Sequence, residues 1–365
     1  MSNIALKKDD KDKLNLSVCI LTNNDEDFIE ECIKTFHNKV KEIVIVDIGS
    51  TDNTISLAQK YTSRTYWHKW NNDYASARNT CLKYASSDWV LYLDAYEKLR
   101  PEEFAKITPQ MLDKRSKAIA YIFNIRELSY DGEYDIPSCR LFRRLSNIKF
   151  KMTMCESAHE DIQQVGRKNN LQIVSTEMNI EKYLERKYPN DVAYHEEQIE
   201  LAKKGLEDPK STFLMKTFYK VSLGLSLNSL GDYDSSEEIV NEVIEEIRQH
   251  DKMTIYNIPR FINAYLLLGF NYAKKKDYEK GLEILKEGAE AYPNSLNLLL
   301  RYGEFLFTTG DYRNCINNLI KMKTLIDDKS YYLMEPLDFE KIERTALKLE
   351  KLAHEKYKQQ QEGLV

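Results

Sequence analysis

The chain is 365 residues long, with 42% hydrophobic residues, 30% charged residues and a net charge of -5. That length allows about two domains of ordinary size, and the composition excludes a disordered chain. The mild negative balance excludes a nucleic-acid binder that works by bulk electrostatics, and the small Gly and Pro content (12 and 8) excludes collagenous or low-complexity character and points to a helix-rich fold.

Residues 1–13 are polar and mixed in charge (KKDDKDK), which reads as a flexible lead-in and not as a secretory signal. No run reaches the roughly 18 uninterrupted apolar residues of a membrane span, so the expected compartment is the cytoplasm. The six cysteines (Cys19, Cys32, Cys81, Cys139, Cys155 and Cys315) form no C-x-x-C pair, and several sit in apolar runs. They are expected to be reduced core thiols with no zinc site.

Strands and helices alternate from residue 16 to residue 100. LSVCILT at 16–22 has the continuous apolar character of a buried parallel strand. A polar turn at 23–26 leads into a helical pattern through Phe28, Ile29, Cys32, Ile33 and Phe36. EIVIVD at 42–47 is the second strand, and the cap-rich turn at 48–54 opens a helix through Ile55, Leu57, Ala58 and Tyr61. Residues 65–68 suggest a third short strand, 75–84 a helix, and WVLYLD at 89–94 another buried strand. This spacing predicts a parallel, right-handed α/β sheet, in which ligands sit at the carboxyl ends of the strands. Residues 118–126, 139–143, 148–154 and 171–180 add expected strands, mixed or antiparallel, with a turn at 130–133.

From about residue 190 the pattern is helical and repeats. Gly224, Gly269 and Gly303 are followed at a constant interval by Asp232-Tyr233, Asp277-Tyr278 and Asp311-Tyr312, and Gly269 and Gly303 lie 34 positions apart. A small residue where two helices meet, a turn closing in Asp-Tyr and a second helix follow the logic of a tetratricopeptide repeat, with Pro293 opening the next unit. The expected division is a flexible N-terminus at 1–13, an α/β domain at 14–190, tetratricopeptide-like repeats at 191–336, and a capping helix and tail at 337–365.

Three acids sit at or just after strand ends: Asp47, Asp52 and Asp94. A carboxylate there can hydrogen-bond a base or ribose, or ligate a hard cation. Asp52, inside S-T-D-N-T, fits a helix cap better than a ligand. Trp67, Trp70 and Trp89 read as core or site-wall aromatics.

The strings LSVCILTNNDEDFIEECI, EIVIVDIGSTDNT and WNNDYASARNTCLKYASSDWVLYLDAYE resemble the nucleotide-sugar domain of family-two glycosyltransferases, over about residues 14–160. The likeness is to bacterial protein and peptide glycosyltransferases that carry tetratricopeptide repeats. It implies a GT-A fold and transfer of a sugar, hexosyl in type, from a nucleotide-linked donor, UDP above all, with Mg2+ or Mn2+ as cofactor. It implies donor-binding roles for Thr22, Asp47 (against uracil), Arg78 and Asp94, with Asp94 also the first acid of the D-x-D metal motif. The segment RLFRR at 140–144 and the pair His159-Glu160 resemble stretches that flank the acceptor, which makes Glu160 the candidate base and His159 its phosphate or metal partner, with Asp161 and Glu156 as competitors. The motif departs from the family at its second acid, reading Asp94-Ala95-Tyr96-Glu97. A phenol is a poor ligand for Mg2+. Asp94 and Glu97 holding a metal with water, Arg78 serving without one, and a chain that has lost catalysis all stay open.

The implied function is an inverting glycosyltransferase whose helical repeats bind a protein or peptide acceptor. The alternative is an inactive scaffold that binds a partner protein. An adaptor with an unrelated α/β domain fits the nucleotide-site strings least.

Overall fold

The computed structural model describes residues 13–129, 132–154, 157–188, 191–249, 261–331 and 338–362. Residues 1–12 of the lead-in, Tyr130-Asp131 of the expected turn, Cys155, Glu156 and the last three residues of the tail lie outside the described residues. Two compact units make up the chain, Met1–Asp191 and Val192–Val365.

The first unit is built on one eight-stranded sheet in the order β3-β2-β1-β4-β7-β6-β8-β5. Its strands are β1 (Leu14–Thr22), β2 (Val40–Asp47), β3 (Thr65–Trp67), β4 (Trp89–Asp94), β5 (Glu97–Lys98), β6 (Ala118–Ser129), β7 (Gly132–Arg143) and β8 (Gln172–Tyr183). The first four run parallel, β7 is antiparallel to both β4 and β6, and β8 runs parallel to β6. The sheet is therefore mixed, as the sequence suggested.

Helices cover both faces, which is why β1, β2 and β4 are continuous apolar runs instead of alternating ones. Leu16, Val18 and Ile20 pack with Ile29, Ile33 and Phe36 around α1 (Ile29–Lys34) on one face. Cys19, Leu21, Val44 and Val46 pack with Ala77 and Cys81 of α3 (Tyr74–Tyr84) on the other. Between them in sequence, α2 (Thr54–Ala58) buries Ala58 in the first of these cores. All five described cysteines are free and buried.

Residues 148–154 are not a strand, contrary to expectation. Met152 has φ 75, which breaks an extended run, and the segment makes a single bridge between Lys151 and Ser157. Asn79 takes the place of a neighbouring strand: its amide accepts from Phe150 N and donates to Phe150 O, both at 2.9 Å. Past a short α4 (Pro101–Phe104), the next helix, α5 (His159–Asn169), turns Ile162 and Val165 into the second core. After β8 a single turn, α6 (Leu184–Lys187), closes the unit.

Among the described residues the second unit has helices and no strand: α7 (Asp191–Glu207), α8 (Phe213–Ser229), α9 (Tyr233–Gln249), α10 (Ile262–Lys274), α11 (Tyr278–Ala291), α12 (Leu296–Thr308), α13 (Tyr312–Asp327) and α14 (Phe339–Gln361). The repeat logic of the sequence is visible in the contacts. A Cβ on Gly224 would lie 2.5 Å from Val240, and one on Gly269 2.8 Å from Leu285, so the glycines are where paired helices meet. Asp277 and Asp311 cap α11 and α13 by accepting from Lys280 N and Asn314 N. The tyrosines after them meet rings of the neighbouring pair or their own edge-on, Tyr278 with Phe305 and Tyr312 with Phe307.

Candidate active site

Register carries the expected residues to one edge of the sheet. Thr22 pairs with Asp47, Leu21 with Asp94, and Asp47 with Trp67, so these strand ends lie at one level. The chain runs from β1 outward to β2 and β3, then returns to β4 on the other side of β1. The carboxyl ends of β1 and β4 thus flank the point where strand order reverses, the place where open α/β sheets bind ligands.

The first two loops at this edge are clamped to each other. Thr51 N donates to Asn24 Oδ1 and Asn24 N to Ser50 Oγ, both at 2.8 Å. Glu26 accepts from Asn53 N at 3.0 Å, and Asp25 N donates to Thr54 Oγ1 at 2.7 Å. Asp52 accepts from Thr54 N at 3.0 Å and from Glu26 N at 3.1 Å, so it ties the start of the second helix to the first loop, while the cap position itself is Asn53. Asp47 holds the turn after β2, accepting from Ser50 N at 3.1 Å and Gly49 N at 3.3 Å. Thr22 is buried and donates to Asp25 Oδ2 at 2.8 Å. Trp67 is 68% exposed at the end of β3.

Three buried or half-buried acids, Asp94, Glu97 and Asp25, are each paired with a cation. Arg78, on α3, donates to Asp94 Oδ1 at 2.7 Å, and its guanidinium lies over the rings of Tyr92 (5.0 Å) and Phe150 (5.9 Å). Burial alone would raise the Asp94 carboxyl, but Arg78 and Arg140 hold it below the usual range. Arg140, on β7, grips both oxygens of Glu97 at 2.7 and 2.9 Å, and Glu97 also accepts from Asp94 N at 2.9 Å. Glu97 is fully buried, and desolvation raises its carboxyl despite Arg140. On α6, Lys187 donates to Asp25 Oδ1 at 2.8 Å and to the carbonyl oxygens of Asn23 and Asn24. Burial also raises Asp25, with Lys187 opposing it.

Tyr96, at the second position of the acid motif, is a packing residue. Its ring meets Tyr188 edge-on at 6.5 Å, Lys187 lies 5.9 Å from its centroid, and its carbonyl accepts from Tyr183 N. Burial and the neighbouring Asp94 push its phenol well above the ordinary value, so it stays neutral. These donors do not fit a divalent cation. Mg2+ and Mn2+ sites want oxygen ligands with uncommitted negative charge. Here one carboxylate is tied to Arg78, the next is clamped on both oxygens by Arg140, and the ligand between them is an un-ionised phenol. Among the described residues, no group of three or more His, Cys, Asp or Glu side chains is placed to hold a metal.

The acceptor-side candidates sit at the start of α5. His159 turns inward, with Nδ1 3.1 Å from Cys139 Sγ on β7, a thiol pushed up to about 12 by burial. Its Nε2 lies 2.8 Å from the Gln163 amide. Glu160 points the other way, 74% exposed and 3.3 Å from Lys151 Nζ, over a hollow of about 360 Å³ that Arg167 also lines. Asp161 is committed to structure, accepting from Lys149 N at 3.0 Å and pairing with Lys151 at 2.7 Å. Thr22, Asp47, Arg78 and Asp94 therefore share one edge, while His159 and Glu160 diverge from a common turn.

The arginines of RLFRR at 140–144 are divided by the fold. Arg140 enters the site, whereas Arg143 and Arg144 donate to backbone carbonyls around Ser116 and Ser87. Asp25 and Lys187 escaped the sequence reading. Lys187 stands in a polar run (ERKYP) whose spacing carries no motif, and its partner lies 162 positions away.

Residues 17–155 match the family model described as glycosyl transferase family 2, and residues 262–295 match a tetratricopeptide repeat. A TPR repeat-containing protein of Synechococcus elongatus is 28% identical over 137 residues, 37% of this chain and 33% of the relative. The SPbeta prophage-derived glycosyltransferase SunS of Bacillus subtilis is 25% identical over 272 residues, 71% of this chain and 59% of the relative. The chain thus spans less than two thirds of the length of these curated relatives. Among solved structures, S. aureus TarS 1-349 in complex with UDP-GlcNAc is 16% identical with a TM-score of 0.43, covering 73% of this chain and 92% of that one.

Proposed function

We propose, for a chain that carries a family-two glycosyltransferase domain at 17–155 and a tetratricopeptide repeat at 262–295, that it transfers a sugar from a nucleotide-linked donor, UDP in the first instance, to a protein or peptide. The observation that carries this reading is the convergence of Thr22, Asp47, Arg78 and Asp94 at the carboxyl edge, where the strand order reverses. Asp47 is assigned to the base, Arg78 to the diphosphate end, and Asp94 to the same end through its hold on Arg78. The relative named as a glycosyltransferase, aligned over 272 residues, supports the same class.

The chemistry is a single displacement. An acceptor hydroxyl, thiol or amide forms the new bond to the anomeric carbon, and the bond from that carbon to the phosphate oxygen breaks. The electron pair leaves with the nucleoside diphosphate, and the configuration inverts. The acceptor's proton goes to a carboxylate, for which Glu160 is the assignment: it is exposed, whereas Asp161 is bound into the fold. Positive charge must face the leaving diphosphate, and Arg78 is the cation at that end. The helices of Val192–Val365 are assigned to the acceptor, since stacked helical pairs present side-chain surface and no phosphate cradle. Incubation with UDP-sugars and a protein extract, followed by mass spectrometry, tests the reading: Glu160→Gln should keep donor binding and lose transfer about a hundredfold or more.

A second reading, a donor-binding scaffold without turnover, is favoured by one observation: both acids that flank Tyr96 are neutralised by arginine. Binding of UDP-sugar with no UDP release under any acceptor condition would select it.

A further inference from the structure

Resting on the donor-site reading above, we propose that this site takes its nucleoside diphosphate without a divalent cation, with Arg78 in the place of the metal.

The acids around the motif are paired without an ion. Three carboxylates, Asp25, Asp94 and Glu97, face three side-chain cations, Lys187, Arg78 and Arg140, at 2.7 to 2.9 Å. A divalent ion approaching Asp94 must displace Arg78 or share one carboxylate with it. Either arrangement sets two like charges against each other, with Arg140 beside them in the same low-dielectric setting. Glu97 offers no relief, because both its oxygens are held by Arg140 and one also by Asp94 N. The remaining position of the motif is filled by a ring that packs under Tyr188 and Lys187. Tyr96 thus anchors α6 over this edge.

A diphosphate is the ligand that this arrangement accommodates. Arg78 is held flat by Tyr92 and Phe150 and presents an Nη to Asp94, whose side chain retains 14% exposure. Its planar fork matches a phosphate as well as a carboxylate. The incoming diphosphate therefore competes with Asp94 for the guanidinium, and Asp94 keeps that cation oriented until the donor arrives. The ammonium of Lys187, ligated by three oxygens of the first loop, fixes the neighbouring wall as a bound metal would.

Calorimetric titration of the full chain with UDP, once in EDTA and once in Mn2+, tests this, with GDP and dTDP run in parallel. Affinity for the preferred nucleotide should agree within about twofold between the two buffers. Binding that weakens tenfold or more in EDTA overturns the proposal and leaves the donor-site reading intact. Failure of all three nucleotides to bind in either buffer overturns that reading and the proposal with it. In EDTA, Arg78→Met should weaken UDP by about tenfold to a hundredfold and leave uridine unchanged, with Arg78→Lys in between. Equal losses for UDP and uridine would make Arg78 a packing residue and overturn its assignment.

Discussion

The pair formed by Arg140 and Glu97 gives the most demanding test of the geometry. Glu97→Gln keeps the shape of the side chain and removes its charge. In the native arrangement one carboxylate oxygen accepts from Arg140 Nη2, and the other accepts from Arg140 Nη1 and from Asp94 N. A glutamine has one oxygen and one NH2. Whichever way the amide turns, an N–H of Arg140 faces a donor. The guanidinium, 7% exposed and bound strongly enough to stay protonated, then lacks its counter-charge. Breaking one side of a buried pair costs about 3–5 kcal/mol. Asp94, which also feels Arg140, takes up part of the released charge and moves the expectation to the lower end of that range. For a unit of this size, about 3 kcal/mol lowers the melting temperature by about 6–12 °C. All three tryptophans, Trp67, Trp70 and Trp89, lie within Met1–Asp191, so tryptophan fluorescence reports the melting of that unit alone. The double variant Glu97→Gln/Arg140→Met removes the orphaned charge and should be less destabilised than the sum of its parts, by about 1 kcal/mol or more. A Glu97→Gln melting point within about 2 °C of the parent would refute the closed ion pair, and with it the claim that Glu97 is unavailable to a metal.

Asp94→Asn tests the neighbouring pair through pH. The native Asp94 carboxyl is held below its ordinary value, so its stabilisation is complete above the unfolded value of about 3.9 and is lost as pH falls through the lower native one. The stability gap between parent and variant, from urea titrations, should be full at pH 6–7 and shrink below about pH 4; a gap independent of pH would contradict the assignment. Tyr96→Asp adds the missing acid beside Asp94 and should make UDP affinity respond to Mn2+, as read by calorimetry in EDTA and in Mn2+. In the repeat unit, Gly269→Ala drives a Cβ to within 2.8–3.0 Å of the buried Leu285 side chain. The overpacking costs about 1–3 kcal/mol against a helix-propensity gain of up to about 1, so circular dichroism should show a lower melting point for the helices.

Much of the fold was legible because buried parallel strands leave an unmistakable trace. LSVCILT, EIVIVD and WVLYLD are apolar on both faces, and each became a strand at the heart of the sheet. The repeat register was legible for a related reason: Gly269 and Asp277-Tyr278 each do a local job, close approach and capping, that fixes residue type. The strand expected at 148–154 failed because its pairing is made by a side chain, Asn79, and its extension is broken at Met152, neither of which periodicity detects. The hairpin strands β6 and β7 ran longer than read, since polar residues such as Arg126 and Asp135 pair across its exposed outer part. At the site, Asp94 and Arg78 were named from the motif, and their mutual bond follows from α3 lying over β4. The roles of Asp25, Glu97, Arg140 and Lys187 depend on partners 43 and 162 positions apart, a relation set by topology.

On the proposed function, a nucleotide-linked sugar is turned over at the edge formed by Asp47, Arg78 and Asp94. The most direct test is release of nucleoside diphosphate by the full chain across UDP-, GDP- and dTDP-sugars, with a protein extract as acceptor and Asp47→Ala and Arg78→Met as controls. Steady release is expected with one donor class, UDP first, reduced at least tenfold in both variants; no release with any donor, or release that both variants leave unchanged, would overturn the proposed function.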